Sequence, residues 1–176
     1  MAEADARKFA SPFAIFRAGK AKDYSADGPM YMDTAGPALF DNGGALGEAG
    51  FGEGSRVKLL YSRPGMSLTY VWFKSGFPLP RHSHNADCLY FIVAGSLKIG
   101  VEELGPGDGF FIGEDVPYTY TPGEKGVEVL EFRTSDHFDF KNLGGTSAWL
   151  EKAVESLRAN RGNWPAEPTP SGMKVG

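Results

Sequence analysis

Short runs of strand-forming residues, each ended by glycine, proline or polar turn residues, fill the chain from residue 56 to residue 133. They recur at intervals of roughly 8–12 residues, which is typical of all-β sandwiches and barrels. One turn between them is expected at Pro122 and Gly123. The expected strands cover 57–61, 67–73, 88–93, 97–101, 109–112, 118–120 and 127–132.

The composition supports an all-β fold class and excludes several others. Glycine (24 residues) and proline (12 residues) are abundant, and both are disfavoured inside helices. Aromatic residues make up 13% of the chain, which argues against disorder. The net charge of −4, without a basic run, argues against nucleic-acid binding. A single cysteine excludes an intrachain disulfide, and the lack of a signal-peptide or membrane-spanning pattern predicts a cytoplasmic protein with no membrane partner.

Composition divides the chain into four regions. The stretch 42–54 holds six glycines and predicts a flexible connection between an N-terminal arm and the strands. A proline-rich tail ends the chain and is expected to be poorly ordered. The predicted regions are 1–54 (arm), 55–135 (β core), 136–162 (connection and one helix) and 163–176 (tail).

Further elements are expected outside the β core. Apolar residues at helical spacing predict a C-terminal helix with Thr146 or Ser147 as its N-cap and Gly162 as its end. In the arm, short apolar pieces over 13–16 and 30–32 are candidates for edge strands that pack on the core. The apolar stripe of the helix consists of Trp149, Leu150, Ala153, Val154 and Leu157.

His82 and His84 form the pattern with the most direct chemical meaning. In a strand, residues i and i+2 point to the same face, so both imidazoles are able to reach one metal ion. Imidazole is a frequent ligand of Zn, Cu, Fe and Ni in proteins. The pattern therefore predicts His82 and His84 as metal ligands.

The residues around this pair resemble the first sequence motif of the cupin superfamily, G-x5-H-x-H-x3,4-E-x6-G. Gly76, His82, His84 and Gly95 match the spacing of the motif, and Cys88 stands at the position of its glutamate. The match is specific enough to predict the cupin fold.

The second cupin motif, G-x5-P-x-G-x2-H-x3-N, is matched more loosely. Gly107 stands at its first glycine and Tyr118 at its histidine. The resemblance, which covers about residues 56–133, implies an all-β double-stranded β-helix (the cupin jelly-roll barrel) with an irregular N-terminal arm and one C-terminal helix. It also implies a homodimer, because cupins commonly pair through a sheet edge or a swapped arm.

The implied metal site departs from the three histidines and one glutamate that are usual in the family. Cys88 replaces the glutamate and Tyr118 the third histidine, and His137 lies past the last barrel strand and is not expected to be a ligand. Three arrangements are open. Cys88 or Tyr118 acts as a third ligand beside His82 and His84, water molecules complete the coordination of the ion by the two histidines, or no metal ion is bound. Cys88 and Tyr118 are the candidate catalytic residues, including through a Cys–Tyr link similar to that of cysteine dioxygenase. The alternative is a gap-filling cysteine and a barrel-wall tyrosine.

Strand alternation extends the candidate site to substrate-binding residues. If Cys88 faces the barrel interior, so do Tyr90 and Ile92, and Tyr118 and Tyr120 share a face in the same way. Arg81 is a candidate for contacting an anionic substrate at the mouth. Glu128 and Glu131 lie on opposite faces of the last strand, so one of them is able to face inward, although exposure to solvent is the commoner fate of such residues.

These residues predict a small metal-binding cupin. The expected cofactor is one divalent metal ion, with Fe(II) preferred and Zn, Mn, Ni or Cu as alternatives. The expected function is a dioxygenase-type oxidoreductase that acts on a small aromatic or carbonyl-containing molecule. The alternatives are a metal-dependent lyase or isomerase, and a non-catalytic small-molecule-binding cupin with a degenerate metal site.

Overall fold

A computed structural model describes residues 12–24, 28–33 and 44–175. Its α-helices are α1 (Ala45–Glu48) and α2 (Ser147–Asn160). Its strands are β1 (Lys22–Asp23), β2 (Met30–Met32), β3 (Ser55–Arg63), β4 (Met66–Phe73), β5 (His82–Ser83), β6 (Cys88–Ile99), β7 (Glu102–Leu104), β8 (Gly109–Ile112), β9 (Thr121–Arg133) and β10 (Phe138–Asn142). Within these ranges no helix is long and apolar enough to cross a membrane.

The strands form two sheets, and the predicted jelly-roll barrel with a C-terminal helix is confirmed. The larger sheet has the antiparallel order β1-β3-β4-β9-β6-β7, and β8 also pairs with β6. The smaller sheet has the order β2-β10-β5, in which β2 runs parallel and β5 antiparallel to β10. The long strands β6 and β9 pair along most of their length and form the wall on which the interior is built.

Strand β6 illustrates why this sequence folds as one wall of a barrel. Cys88, Tyr90 and Ile92 are buried, whereas Leu89 and Phe91 between them are exposed. Full burial of a side chain such as that of Ile92 is worth about 1.5–3 kcal/mol, and a shift by one residue would turn the whole inner set outward. The inner face therefore fixes the register of the strand.

Two predicted interruptions of this wall are wrong. The expected break between 88–93 and 97–101 is a bulge in one continuous strand, in which Gly95 has a φ of +74°. A Cβ atom at Gly95 would lie 2.2 Å from the carbonyl oxygen of Gly126, so only glycine permits this close approach of β6 and β9. The expected turn at Pro122 and Gly123 lies inside β9, where Pro122 pairs with Leu97.

The expected strand over 118–120 is replaced by a single bridge. Tyr118 pairs with His82 through two backbone hydrogen bonds of 3.0 and 2.9 Å. This bridge brings the segments of the two cupin motifs side by side.

The N-terminal arm follows its predictions in part. Residues 30–32 form β2 as predicted, whereas 13–16 form no strand and are exposed. The described part of the Gly-rich stretch, 44–54, is not a plain flexible connection, because it contains α1 and a 3-10 helix, and Leu46 and Ala49 are buried. Residues 1–11, 25–27 and 34–43 of the arm lie outside the described residues.

The C-terminal region is more ordered than its composition predicts. Helix α2 has the expected N-cap, since Thr146 Oγ1 accepts a hydrogen bond from Trp149 N at 3.2 Å. The expectation of a poorly ordered tail is wrong, because Trp164 is buried and donates a hydrogen bond from Nε1 to the Ser75 carbonyl at 2.9 Å. The tail therefore packs on the outer side of the barrel.

Candidate active site

A cavity of about 80 Å³ lies inside the barrel and receives side chains from both sheets. We call it the central cavity. Met30 of the arm and Phe140 of β10 contribute apolar walls. Its polar or tyrosine lining consists of His82, His84, Tyr118, Tyr120, Glu131 and Arg133.

The two histidines meet in this cavity. Their ring centroids are 5.0 Å apart and both side chains are buried. The ring of Phe140 stacks on that of His82 at 4.6 Å, and the ring of Tyr118 lies 4.3 Å from it. Packing against aromatic rings holds the imidazoles in fixed orientations.

Backbone carbonyl groups set the tautomers of both imidazoles. His82 Nδ1 lies 2.8 Å from the Pro80 oxygen, and His84 Nδ1 lies 2.5 Å from the Asp139 oxygen. A carbonyl oxygen only accepts hydrogen bonds, so Nδ1 carries the proton in each ring. The lone pair of each neutral ring is therefore on Nε2, the nitrogen left for a ligand.

Both imidazoles stay neutral at physiological pH. Burial lowers the pKa of His82 to about 4, and the positive charge of Arg133 acts in the same direction. Burial lowers the pKa of His84 to about 2, with further contributions from Arg133 and His82. A neutral imidazole in this tautomer accepts a hydrogen bond or binds a metal ion, but it is a weak base.

Glu131 and Arg133 form a buried ion pair on the inner face of β9. Arg133 Nη1 donates to Glu131 Oε2 at 2.6 Å, and the Arg133 guanidinium carbon lies 4.4 Å from the centre of the Phe138 ring. Glu131 is thus the inward carboxylate. Glu128 faces outward, yet it is also buried, because the C-terminal tail covers it. The expected exposure of the two glutamates is wrong for both.

A chain of hydrogen bonds connects Arg133 with the cavity wall. Arg133 Nη2 donates to Tyr90 Oη at 3.3 Å, and Tyr90 Oη is hydrogen-bonded to Tyr118 Oη. Burial raises the pKa of Tyr90 and of Tyr118 well above the ordinary value for tyrosine. Both hydroxyl groups therefore keep their protons.

The other predicted site residues are divided between the cavity and its surroundings. Tyr120 lines the cavity, whereas Tyr90 and Ile92 are buried behind the lining. Arg81 is exposed and does not line the cavity. Cys88 is buried outside the lining, and burial raises the pKa of its thiol to about 12. It is neither a thiolate nor in contact with the cavity.

The donor set does not fit the predicted metal centre. Across 12–24, 28–33 and 44–175, no group of three or more His, Cys, Asp and Glu residues is arranged to hold a metal ion. Cys88 lies outside the cavity lining, and Glu131 is paired with Arg133. The two imidazoles thus have no third anionic or thiolate partner, and a positive side chain shares their cavity.

Arg133 is the main residue that sequence reasoning missed. Alternation from Glu131 places it on the inner face, but its role depends on cross-strand pairing with Cys88, which no local pattern specifies. Met30 was also missed, because its position depends on the parallel pairing of β2 with β10.

Comparison with known proteins supports the fold. No family model matches the sequence. The chain is 27% identical over 101 residues to the 12S seed storage protein CRD of Arabidopsis thaliana, a match that covers 51% of this chain. The chain spans about a fifth of the length of that curated relative, since 22% of it is covered.

Solved structures resemble the protein over most of its length. The polyketide cyclase RemF from Streptomyces resistomycificus has a TM-score of 0.55 at 15% identity, covering 82% of this chain and 98% of that chain. An RmlC-like cupin from Shewanella frigidimarina has a TM-score of 0.48 at 15% identity, covering 71% of this chain and 91% of that chain. The jelly-roll topology and the similarity to RemF establish that the chain has the cupin jelly-roll fold.

Proposed function

We propose that the protein is a cupin-fold enzyme that transfers a proton on a small carbonyl compound, a reaction of the lyase or isomerase type. One observation carries the proposal: the central cavity combines a carboxylate (Glu131), two imidazole acceptors (His82 and His84) and a phenol (Tyr118). Proton transfer next to a carbonyl group needs a base and a donor to the carbonyl oxygen. These residues supply both.

The size of the cavity narrows the substrate class. An apolar cavity of roughly 150 Å³ holds benzene, and the central cavity, at about 80 Å³, is smaller. Of the two predicted substrate classes, the small carbonyl compound therefore fits better than the aromatic one. The neutral Nε2 atoms of His82 and His84 accept hydrogen bonds, which favours a substrate that also carries a hydroxyl group.

The proposed step begins at Glu131. Its carboxylate accepts the proton from the carbon next to the carbonyl group, the C–H bond breaks, and the electron pair moves to the carbonyl oxygen. The Tyr118 hydroxyl donates a hydrogen bond to the resulting enolate oxygen. Return of the proton to another carbon gives an isomer. Loss of a hydroxyl group from the neighbouring carbon, which takes the proton from Glu131 and leaves as water, gives a lyase product.

Proton exchange in D₂O tests this proposal directly. Proton NMR follows the disappearance of the α-proton signals of hydroxyacetone and pyruvate, two small carbonyl compounds. We expect the protein to accelerate exchange at least about 100-fold over buffer, the lower range of general acid–base catalysis. Exchange should fall by about 100-fold or more in Glu131→Gln, which removes the proposed base. Binding of these compounds without any acceleration would support the non-catalytic alternative instead.

A metal-dependent dioxygenase is the second candidate. One observation favours it: Nε2 of His82 and of His84 is unprotonated at neutral pH. Because protons compete with metal ions for histidine nitrogen atoms, both atoms are available as ligands. His82 and His84 would be the only histidine ligands, and the ion-paired Glu131 argues against a complete centre. An oxygen electrode tests it: anaerobic loading with Fe(II) should produce substrate-dependent oxygen uptake that His82→Ala/His84→Ala abolishes.

A further inference from the structure

Arg133 brings a permanent positive charge into the cavity where a cupin metal centre would bind. Its side chain lines the cavity together with His82 and His84 and is almost fully buried. A guanidinium group remains protonated in proteins. Its Nε has no hydrogen-bond partner among the described residues, which is unusual for a buried polar atom.

The hydrogen-bond chain from Arg133 begins with a link of fixed direction. A guanidinium group only donates hydrogen bonds, so Tyr90 Oη accepts from Arg133; the Tyr90 proton directed at Tyr118 Oη is the arrangement that continues the chain toward the cavity. Tyr118 then has its proton left for the cavity. Each bond in such a chain polarises the next, so the positive charge of Arg133 strengthens Tyr118 as a donor.

We propose that Arg133 takes the place of a metal ion as the fixed positive charge of this site, and that it acts on the substrate oxygen through Tyr90 and Tyr118. Arg133 is thus a positioning residue, and the substrate class is one whose carbonyl oxygen gains negative charge. The part of the proposal that concerns the substrate rests on the proposed proton transfer. The part that concerns metal ions depends on the protein alone.

Titration with Co²⁺ tests the replacement of the metal ion, because Co²⁺ bound by imidazoles has a visible absorption band. The key variant is Glu131→Gln/Arg133→Met, which removes both members of the ion pair and leaves no unpaired buried charge. Arg133→Lys keeps the positive charge and is the matched control. Glu131→Gln/Arg133→Leu serves as a second neutral variant if the first double variant does not fold, and circular dichroism establishes folding in each case.

We expect no histidine-dependent Co²⁺ band in the wild-type protein or in Arg133→Lys. The neutral variant should bind Co²⁺ at least ten-fold more tightly than the wild type, and His84→Ala in that background should abolish the gain. Equal histidine-dependent binding by the wild type and the neutral variant would overturn the proposal. So would an equal gain in Arg133→Lys, or no gain in either folded neutral variant.

The action of Arg133 on the substrate has its own test. In the proton-exchange assay with hydroxyacetone, Arg133→Lys should lower kcat while KM changes less than two-fold, and Arg133→Gln should lower kcat further. A change confined to KM would contradict a role through Tyr118. The Co²⁺ titration measures no turnover, so a wild type without exchange activity would end the proposed function and leave the metal result intact.

Discussion

Strand β9 carries two buried carboxylates three residues apart, and their surroundings differ completely. Glu128 on the outer face accepts hydrogen bonds from Tyr70 Oη at 2.5 Å and from Ser171 N and Oγ at 2.5 and 2.9 Å. Glu131 on the inner face lines the central cavity and is bonded to Arg133. The carboxylate of Glu128 is surrounded by uncharged donors that attach the tail, whereas that of Glu131 faces a cation and open volume. Burial alone therefore does not mark a functional carboxylate.

The inner ion pair should give the largest effect on stability. Glu131→Ala leaves the guanidinium of Arg133 buried without its partner, and breaking a buried pair in this way costs about 3–5 kcal/mol. The double variant Glu131→Ala/Arg133→Met should have a free energy of unfolding at least about 1 kcal/mol higher than Glu131→Ala, as measured by urea unfolding. If the double variant is as unstable as the single one, the inner pair is not the source of the loss.

The inner face should also determine the pH dependence of stability. The folded-state pKa values of His82 and His84 lie below the unfolded value of 6.5, so the unfolded state binds more protons as pH falls below 6.5. Stability is therefore full above that pH and declines toward pH 4, by about 1.4 kcal/mol per pH unit for each histidine. Urea unfolding at pH 7, 6 and 5 measures the slope. An unchanged slope in His82→Ala/His84→Ala would show that other groups cause it.

The outer carboxylate should give a smaller, local effect. Glu128→Ala leaves the Tyr70 hydroxyl and the Ser171 donors without their acceptor, at an expected cost of about 2 kcal/mol. Hydrogen exchange should increase over 164–175 and stay unchanged around His82 and His84. Equal loosening of the tail by Glu131→Ala would remove the distinction between the two faces.

The smallest effect on the folded chain is expected at an exposed apolar row on the outer face. Leu89 lies between Phe111 and Phe132 on the neighbouring strands, and all three are exposed, Phe111 by 61%. Such patches often mark interfaces, so we propose this face as the homodimer contact, in place of the sheet edge or swapped arm that the cupin resemblance implies. Phe111→Asp should change the unfolding free energy of the monomer by less than about 0.5 kcal/mol and convert a dimer to a monomer in light scattering. A wild-type monomer would refute the homodimer.

Local patterns predicted much of the fold and, apart from Arg133, the polar and tyrosine lining of the central cavity. The spacing of strands and turns predicted the barrel, and the i, i+2 spacing of His82 and His84 placed both rings on one face. The cupin motifs located Tyr118 opposite them. These features depend on residues that are close in sequence, and the two-residue repeat of a strand determines which of them share a face.

The remaining features depend on contacts between distant residues. Arg133 reaches Tyr90 from 43 residues away, and Ser171 attaches to Glu128 over the same separation. Glycine in the bulge of β6 and the Pro-Gly pair in β9 favour turns on local sequence alone, because their pairing across strands depends on residues far away in the chain. The replacement of family ligands by Cys88 and Tyr118 was visible, but the cation beside them was not.

The comparison of Glu131→Gln with Glu128→Gln in the D₂O exchange assay tests the central claim most directly. Both variants remove one buried carboxylate charge from the same strand. With hydroxyacetone, Glu131→Gln should lower the exchange rate by about 100-fold or more, whereas Glu128→Gln should stay within about three-fold of the wild type. Equal rates in the two folded variants would contradict the assignment of the central cavity as an acid–base site.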